Sequence, residues 1–359
     1  MVRAFFLNKR KIYIESPPYI IAELSGNHGG SLDRALKAIQ AAKDAGADAL
    51  KIQTYTPDTM TLNSDSSDFQ INRGLWKGRT LYDLYDEAHT PYEWHKKMFS
   101  FARNIGITIF STPFDETAVD LLESLNAPAY KIASFELVDL QLIRYVASKG
   151  KPMILSTGIS DANEIGDALE TAKEAGCQDL ALLHCISGYP TPFEEANLSL
   201  ITELQKVFKV QVGLSDHTTG LNASIIGTAL GATIIEKHFT LSRSGGGVDS
   251  KFSLEPEEMK ELIINCRNTK RAMGSGEFTR SNLELENKIF RRSLYFVEDI
   301  KSGEIIKNHH IRRIRPGYGL APRFLSKIIG KRLKKDVLKG ERVTAEVVGL
   351  SIDQSKQST

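Results

Sequence analysis

Short apolar runs recur along the first two thirds of the chain, each with the length and β-branched content of a buried strand. They are Tyr19–Leu24, Ala49–Thr54, Ile107–Thr112, Ala129–Ser134, Pro152–Thr157, Leu180–Cys185, Val210–Leu214 and Ala232–Glu236. Most are followed by a segment with helical periodicity. Glycines such as Gly46 and Gly106 stand where those helices should end before the next strand.

This alternation of strands and helices predicts an α/β fold, a (β/α)₈ barrel of the TIM type. A doubly wound open sheet is the alternative, but no Gly-x-Gly-x-x-Gly pattern follows the first run. One connection, between the second and third strands, is unusually long, and residues 58–90 within it are rich in polar, aromatic and glycine residues. Loops of this length in a compact domain are typically lids or substrate-binding elements.

The alternation of strands and helices ends near residue 274, and after the linker the chain shows short apolar runs separated by glycine and lysine. We predict a barrel domain over 1–275, a charged linker over 276–291, a small mainly β domain over 292–352 and a disordered tail over 353–359. The small domain's expected strands are Ser293–Val297, Gly303–Ile306, Ile311–Arg315, Ser326–Ile329 and Val343–Val348. A domain of this size buries little apolar surface by itself and commonly packs against a partner.

Composition excludes several classes of protein. With 359 residues, 41% hydrophobic, 25% charged and a net charge of +2, the chain resembles an ordinary soluble protein. The near-neutral charge gives no reason to expect a nucleic-acid or membrane partner. There is neither a signal-peptide pattern nor an apolar run long enough to span a bilayer. Three scattered cysteines are typical of a reducing cytoplasm, where we expect the protein to work.

Two histidines stand just after the last two predicted barrel strands. His217 and His238 are separated by one strand–helix–strand step, so neighbouring strands should bring them together at the carboxyl end of the barrel. Two neutral imidazoles there could ligate a divalent metal. Two ligands alone do not define a metal site, and unrelated strand-end histidines are the alternative.

Two lysines lie inside predicted strands, where an unpaired ammonium would be costly. Lys51 and Lys131 alternate with apolar neighbours and should therefore point into the barrel. One interpretation is a structural ion pair, with Glu23 as the obvious mate. The other is an anionic ligand, because hydroxyls recur on the same rim and could form a phosphate cradle with the lysines. These hydroxyl residues are Thr112, Ser134, Ser156 and Ser215.

Several motifs together resemble those of the sialic acid synthase family over nearly the whole chain. They are Ile-Ala-Glu-Leu-Ser-Gly-Asn-His (21–28), Lys-Ile-Gln-Thr (51–54), Ser-Thr-Pro-Phe-Asp (111–115), Tyr-Lys-Ile-Ala-Ser (130–134), Leu-Ser-Thr-Gly (155–158), Tyr-Pro-Thr-Pro (189–192), Gly-Leu-Ser-Asp-His-Thr (213–218) and Glu-Lys-His-Phe-Thr (236–240). The C-terminal part, with Arg-Pro-Gly at 315–317, resembles that family's antifreeze-like (SAF) domain. The family condenses phosphoenolpyruvate with an acetamido sugar to make a nine-carbon 2-keto acid.

The resemblance implies a role for each candidate residue. It implies that His217 and His238 hold Mn²⁺ or a similar divalent ion, and that Glu23 lies near the metal and positions water. Phosphoenolpyruvate would bind to Lys51, Thr112, Lys131, Ser134, Ser156 and Ser215, with both lysines also catalytic. The sugar would face Gln53, Tyr189, Asp249 and Arg315. Arg315 would come from the partner chain of a domain-swapped homodimer.

Residues 74–94 look like those of the pseudaminic acid synthase subfamily, whose sugar is 2,4-diacetamido-2,4,6-trideoxy-altrose. Aromatic residues there, such as Trp76, Tyr82 and Tyr85, suit such a sugar. Ser187 lies in a segment, 186–188, that departs from the usual sialic acid synthase pattern, which argues against N-acetylmannosamine as substrate. N-acetylneuraminic or legionaminic acid synthesis stays an alternative. A Schiff-base aldolase using Lys131 or Lys51 and a non-catalytic sugar-binding protein are more remote ones.

Overall fold

The protein is described by a computed structural model over residues 2–351, so the predicted tail 353–359 lies outside the described residues. The chain divides into two compact units, Met1–Gly274 and Ser275–Thr359. No helix in the described part of the chain is long and apolar enough to cross a membrane.

The first unit opens with a β-hairpin that the sequence pattern did not reveal. Its strands, β1 (Phe5–Leu7) and β2 (Arg10–Ile12), pair antiparallel. Asn8 and Lys9 between them have φ angles of 44° and 70°, as a tight two-residue hairpin turn requires. The hairpin's buried side chains share an apolar cluster with inward-facing barrel residues such as Phe110. Strands of three residues are too short to show a recognisable alternation.

Within residues 2–351, eight parallel strands close into a barrel, which confirms the predicted fold class. They are β3 (Tyr19–Glu23), β4 (Ala49–Thr54), β5 (Thr108–Pro113), β6 (Tyr130–Ile132), β7 (Met153–Ser156), β8 (Leu180–Cys185), β9 (Gln211–Asp216) and β10 (Ile234–His238). Their spatial order follows the chain, and β10 pairs with both β9 and β3 to close the ring. Each lies within a few residues of a predicted apolar run.

The helices of the first unit follow the strands as predicted. They are α1 (Leu32–Ala45), α2 (Pro57–Met60), α3 (Leu81–Ala88), α4 (Tyr92–Ile105), α5 (Glu116–Ser124), α6 (Leu140–Ala147), α7 (Ala162–Glu174), α8 (Leu200–Phe208), α9 (Asn222–Ala229) and α10 (Pro256–Met273). Helices α1 and α4 end at Gly46 and Gly106, whose φ angles of 91° and 73° are disfavoured for other residues. The long connection 58–90 is partly helical, since it contains most of α2 and all of α3.

Side-chain alternation divides the barrel interior into an apolar and a polar half. Inward positions near the amino ends of the strands, such as Ile21 and Ala49, belong to the same cluster as the hairpin. Two residues further along the same strands, Glu23 and Lys51 are inward-facing and charged. The strand register therefore gathers the polar residues at the carboxyl ends, while the hairpin side stays apolar.

The second unit has its own apolar core around residues such as Leu294 and Val343. Strands β11 (Ser293–Phe296) and β12 (Ile311–Ile314) fall within two of the predicted strands, and they pair antiparallel. The expectation of a strand at Ser326–Ile329 was wrong, because that segment overlaps the short helix α12 (Leu325–Ile328). A short apolar run cannot by itself distinguish one helical turn from a strand. The predicted linker, 276–291, contains the helix α11 (Asn282–Glu286).

Close packing inside the barrel predicts a large cost for adding one methyl group at Gly213. A Cβ atom there would collide with the carbonyl oxygen of Ile234 and would lie 2.6 Å from the Cδ2 atom of Leu183. We expect Gly213→Ala to destabilise the protein by about 2 kcal/mol through overpacking, measured as a lower melting temperature.

Gly166 is the matched control for this substitution. It lies inside helix α7, and a Cβ added there would have no neighbour within 4 Å. Gly166→Ala should therefore raise the melting temperature, because alanine is the better helix former by roughly 0.5–1 kcal/mol. Equal effects of the two substitutions would contradict the packing argument.

Candidate active site

Four charged side chains meet inside the barrel at its carboxyl end. Glu23 on β3, Lys51 on β4, Lys131 on β6 and Glu236 on β10 are all buried, with at most 4% of their surface exposed. Lys51 Nζ lies 2.9 Å from Glu23 Oε2 and 3.6 Å from Glu236 Oε1, and Lys131 Nζ lies 3.9 Å from the same Glu236 atom. The structure thus contains the Lys51–Glu23 pair that sequence reasoning held as the alternative to an anion site.

Lys51 has closer and more numerous polar partners than Lys131, so Lys131 is the lysine more available to a ligand. Lys51 also donates to Thr112 Oγ1 over 3.1 Å, so several of its hydrogen-bonding needs are met. The only ion pair of Lys131 among the described residues is the long contact with Glu236. Burial lowers the pKa of Lys131, and Glu236 only partly offsets this effect. A carboxylate or phosphate group would supply the missing acceptors.

Glu236 was not among the candidate residues, although it links the two lysines. Burial would raise the pKa of its carboxyl, but Lys131 and Lys51 outweigh burial and the pKa is lowered. The opposite holds for Glu23, whose pKa is raised by burial despite its contact with Lys51. The signal in the sequence was the alternation along β10, which puts Glu236 on the same inward face as His238.

Hydroxyl groups form a polar recess beside the lysines. Ser134, Ser156 and Ser215 are buried at neighbouring strand ends. Gly158 N–H donates to Ser134 Oγ over 3.1 Å, and a Cβ at Gly158 would collide with Ser187 Oγ. Within the described part of the chain, the buried Oγ atoms of Ser156 and Ser187 have no hydrogen-bond partner. Buried hydroxyls without partners could hydrogen-bond to a polar ligand.

The two histidines lie side by side, with ring centroids 5.3 Å apart. Nδ1 of His217 donates to the carbonyl oxygen of Ile186 over 2.9 Å, so Nε2 is the ring nitrogen left for a ligand. Burial would lower the pKa of His217, but Cys185, Ile186 and Glu236 together raise it. Burial and nearby cations lower the pKa of His238 well below its usual value, so this imidazole is neutral. Nδ1 of His238 has no hydrogen bond among residues 2–351 and lies 3.7 Å from Asp249 Oδ2. Two buried imidazoles beside a carboxylate are a donor set that fits a divalent cation.

A second group of possible ligands lies in the small domain. Ligand atoms of Glu298, His309 and His310 all lie within 4.8 Å of one another. However, His310 Nδ1 accepts a hydrogen bond from Lys307 N–H over 3.2 Å, so its proton is on the other ring nitrogen. Glu298 and His309 are more than half exposed. The barrel histidines are therefore the better candidates for a metal.

A cavity of about 420 Å³ opens beside the histidines. Its lining includes three predicted sugar-binding residues: Gln53, Tyr189 and Asp249. Gln53 Nε2 donates to Glu23 Oε1 over 3.0 Å, which joins the cavity to the charged cluster. Arg315, the fourth predicted sugar-binding residue, lies in the second unit and is exposed.

The connection 58–90 supplies one wall of the cavity. Trp76 and Tyr85 line it as expected, and Trp76 Nε1 donates to the carbonyl oxygen of Val248 over 3.0 Å. Tyr82 was expected to face the sugar too, but its hydroxyl contacts Asp58 over 3.3 Å and it does not line the cavity. Tyr82 and Tyr85 lie three residues apart on helix α3 and so share one side of it, which is why the helical period alone could not distinguish them.

Glu136 lines the same cavity and was missed by sequence reasoning. Its Oε2 atom is buried without a hydrogen-bond partner among the described residues, and burial raises its pKa to about 7. The residue belongs to a 3₁₀ turn after β6, Ser134–Glu136. No periodic pattern marks such a turn, although its place directly after a strand end is the position where barrel active sites are built.

The buried lysines, the hydroxyl recess and the histidine pair define a (β/α)₈-barrel enzyme that acts on an anionic substrate. Comparison with known protein families identifies which family this barrel belongs to. The model of the NeuB family matches residues 38–278, and that of the SAF domain matches 291–348. The chain belongs to the NeuB family and carries a C-terminal SAF domain.

Several relatives are similar to this chain over most of its length. Pseudaminic acid synthase of Campylobacter jejuni is 48% identical over 323 residues, which is 90% of this chain and 94% of the relative. The Helicobacter pylori pseudaminic acid synthase is 42% identical over 94% of this chain and 99% of its own length. A solved N-acetylneuraminic acid synthetase from Leptospira borgpetersenii, in complex with citrate, superimposes with a TM-score of 0.72 at 31% identity, covering 80% of this chain and 95% of that one.

Proposed function

We propose that the protein is a pseudaminic acid synthase, a transferase of the EC 2.5.1 type. It condenses phosphoenolpyruvate with 2,4-diacetamido-2,4,6-trideoxy-altrose and releases phosphate by C–O cleavage. The observation that carries this proposal is the 48% identity to a pseudaminic acid synthase over 90% of the chain. N-acetylneuraminic or legionaminic acid synthesis is the alternative within the same family.

Phosphoenolpyruvate is the anionic ligand in this proposal. Lys131 has a poorly compensated ammonium group, and Lys51 lies beside Thr112. Ser134, Ser156 and Ser215, with the unpartnered Ser187, provide hydroxyl donors for its phosphate or carboxylate oxygens. Such charge-assisted hydrogen bonds offset the negative charge that persists through the reaction.

The reaction starts when C3 of phosphoenolpyruvate attacks the sugar's aldehyde carbon and forms a C–C bond. The electron pair of the aldehyde becomes an alkoxide, and a cationic centre develops at C2. A divalent ion bound by His217 and His238, Mn²⁺ in this proposal, would polarise the aldehyde oxygen. The two buried imidazoles, with ring centroids 5.3 Å apart and Asp249 beside His238, support that assignment.

Water then adds to C2 and gives up one proton, which passes on to the alkoxide. The C2–O bond to phosphate then breaks: phosphate leaves with the bridging oxygen and takes up the second proton of the water as the 2-keto acid forms. Glu23 is the proposed acceptor of the water's proton. Burial raises the pKa of Glu23 towards the range useful for a general base, while Lys51 and Gln53 hold its carboxylate. Lys51 and Lys131 offset the charge of the departing phosphate.

The cavity wall suits a sugar with a methyl group and two acetamido groups. Part of the lining is apolar: Tyr55, Met60, Leu84 and Phe114. Gln53, Glu136, Tyr189 and Asp249 also line the cavity and offer polar contacts. A 6-deoxy sugar gains from apolar lining residues, whereas a terminal hydroxymethyl or glycerol-like group beside them would lose hydrogen bonds with water.

Lys131 also supports the rival aldolase hypothesis, because the lowered pKa of its buried amine is what a Schiff base requires. Treatment with borohydride in the presence of pyruvate or phosphoenolpyruvate should leave Lys131 unlabelled if the proposed synthase chemistry is right. Covalent labelling of Lys131 would favour the aldolase.

A domain-swapped homodimer completes the proposed site. Arg315 is exposed and makes no ion pair within residues 2–351. Large apolar side chains in the linker are also exposed: Phe278 is 99%, Leu283 73% and Phe290 58% accessible. Apolar residues at such exposure are typical of a surface that packs against a partner, here a second copy. Arg315 would then reach an acetamido oxygen in the partner's cavity.

The cytoplasm is the proposed location. Cys177, Cys185 and Cys266 are all free thiols and are buried, as expected for a protein made in a reducing compartment. The proposed partners are phosphoenolpyruvate, the acetamido sugar and a second copy of the chain.

Substrate choice tests the proposed function directly. Phosphoenolpyruvate offered with a panel of acetamido sugars should give a nine-carbon acid most rapidly with 2,4-diacetamido-2,4,6-trideoxy-altrose, measured by mass spectrometry and phosphate release. Trp76→Ala should raise KM for the sugar while leaving KM for phosphoenolpyruvate unchanged, because Trp76 lines only the sugar cavity. Faster turnover of N-acetylmannosamine would contradict the assignment.

Removal of metal should abolish activity. EDTA should stop phosphate release, and His217→Ala or His238→Ala should lower kcat/KM at least ~100-fold, because charge stabilisation by a cation is worth several kcal/mol. His309→Ala is the matched control, since His309 belongs to the other candidate group and should leave activity unchanged. Full turnover by metal-free protein would refute the metal assignment.

Shared sites predict complementation between two inactive variants. Arg315→Ala and His238→Ala chains, each nearly inactive alone, should recover roughly a quarter of wild-type activity when mixed, because half of the dimers carry one intact site. Subunit exchange must be confirmed by mass spectrometry of differently tagged chains. Exchange without recovered activity would show that Arg315 does not act across the dimer.

A further inference from the structure

A second buried ion pair lies outside the barrel lumen, directly behind the two histidines. Lys237 Nζ lies 2.9 Å from Asp216 Oδ2, and both side chains are at most 1% exposed. Lys237 also donates to the carbonyl oxygen of Thr218 over 2.5 Å. Neither residue takes part in the chemistry proposed above, because alternation along β9 and β10 points both away from the lumen.

The carboxylate of Asp216 is fully occupied by partners. Its Oδ1 atom accepts from the backbone N–H of Thr218 over 2.9 Å and from the Thr218 hydroxyl over 2.7 Å. Its Oδ2 atom accepts from Ser224 Oγ over 2.6 Å as well as from Lys237. A network this complete restricts the turn after β9 to one conformation.

The position of this network in the chain links it to the histidines. Asp216 and Thr218 flank His217, and Lys237 immediately precedes His238. Asp216 and Lys237 are also paired in the register of β9 and β10. The contacts of Lys237 therefore tie the residues on both sides of His217 to the strand position next to His238.

A buried ion pair is not needed for stability alone. Apolar side chains of the same volume often serve as well or better, because the cost of desolvating two charges offsets their attraction. A directional network does what apolar packing cannot, since it fixes the angle as well as the distance between two backbone segments.

We propose that Lys237 and Asp216 are positioning residues that set the spacing of His217 and His238 for a divalent cation. The inference rests on the proposed metal site and deepens it: the ion pair holds the turn after β9 so that both imidazoles face one ion. Groups that orient ligands in this way commonly change metal affinity 10–100-fold when removed.

Mn²⁺ binding by the full-length protein tests this inference without reference to turnover. Free Mn²⁺ is titrated by electron paramagnetic resonance against wild type, His217→Ala and Lys237→Met. Wild type should bind one ion per chain, His217→Ala should lose it, and Lys237→Met should raise Kd about 10–100-fold. Thr218→Val, which removes one hydrogen bond to Asp216 and keeps the side-chain shape, should raise Kd by a smaller factor if Lys237→Met does not fold.

Arg10→Met is the matched control. It removes a cation from the Arg10–Asp48 ion pair, which lies at the opposite end of the barrel, where Asp48 precedes β4. This variant should lose thermal stability but bind Mn²⁺ like wild type. Unchanged Mn²⁺ affinity in folded Lys237→Met and Thr218→Val would overturn the positioning role and leave the metal site intact. Failure of wild type to bind Mn²⁺ would instead refute the metal site itself.

Discussion

Two lysines and two glutamates share one water-poor barrel interior, and their mutual compensation constrains the rest of the site. Each ion would cost several kcal/mol if buried alone, so removing any one leaves a charge uncompensated. Glu236 lies 3.6 Å from Lys51 and 3.9 Å from Lys131, which is close enough to offset their charge and too far to saturate either ammonium group. The cluster is therefore stable without a ligand and still able to bind an anion.

The sequence predicted those parts of the site that depend on where the strands lie and which way their side chains alternate. Apolar runs bounded by glycine located all eight barrel strands, and closure of the barrel then determined which strand ends are neighbours. Lys51 and Lys131 could be assigned to the lumen because each alternates with apolar neighbours, and His217 and His238 to the carboxyl end because each follows a predicted strand. These inferences need only the period of two and the parallel order of strands.

Other features of the site depend on distances between side chains of different strands and connections, which the hydrophobic period of the sequence does not determine. The sharing of Glu236 between two lysines follows from barrel curvature, which brings β4, β6 and β10 together across the lumen. Burial raises the pKa of Glu136 to about 7, and this residue of the turn after β6 lines the same cavity as residues of the connection 58–90, which are distant in sequence. The hairpin at the amino end was missed because three-residue strands carry too little pattern.

The division between strands and connections also accounts for how one family can act on different sugars. The charged cluster and the histidines lie at positions fixed by strand register, where a shift would disrupt the whole barrel. The cavity wall comes largely from connections, which vary at lower cost. Asp249 joins the two, since it lines the cavity and lies 3.7 Å from His238. Changes in sugar recognition that move Asp249 will therefore also alter the surroundings of the candidate metal ligand, which limits how freely this wall can change.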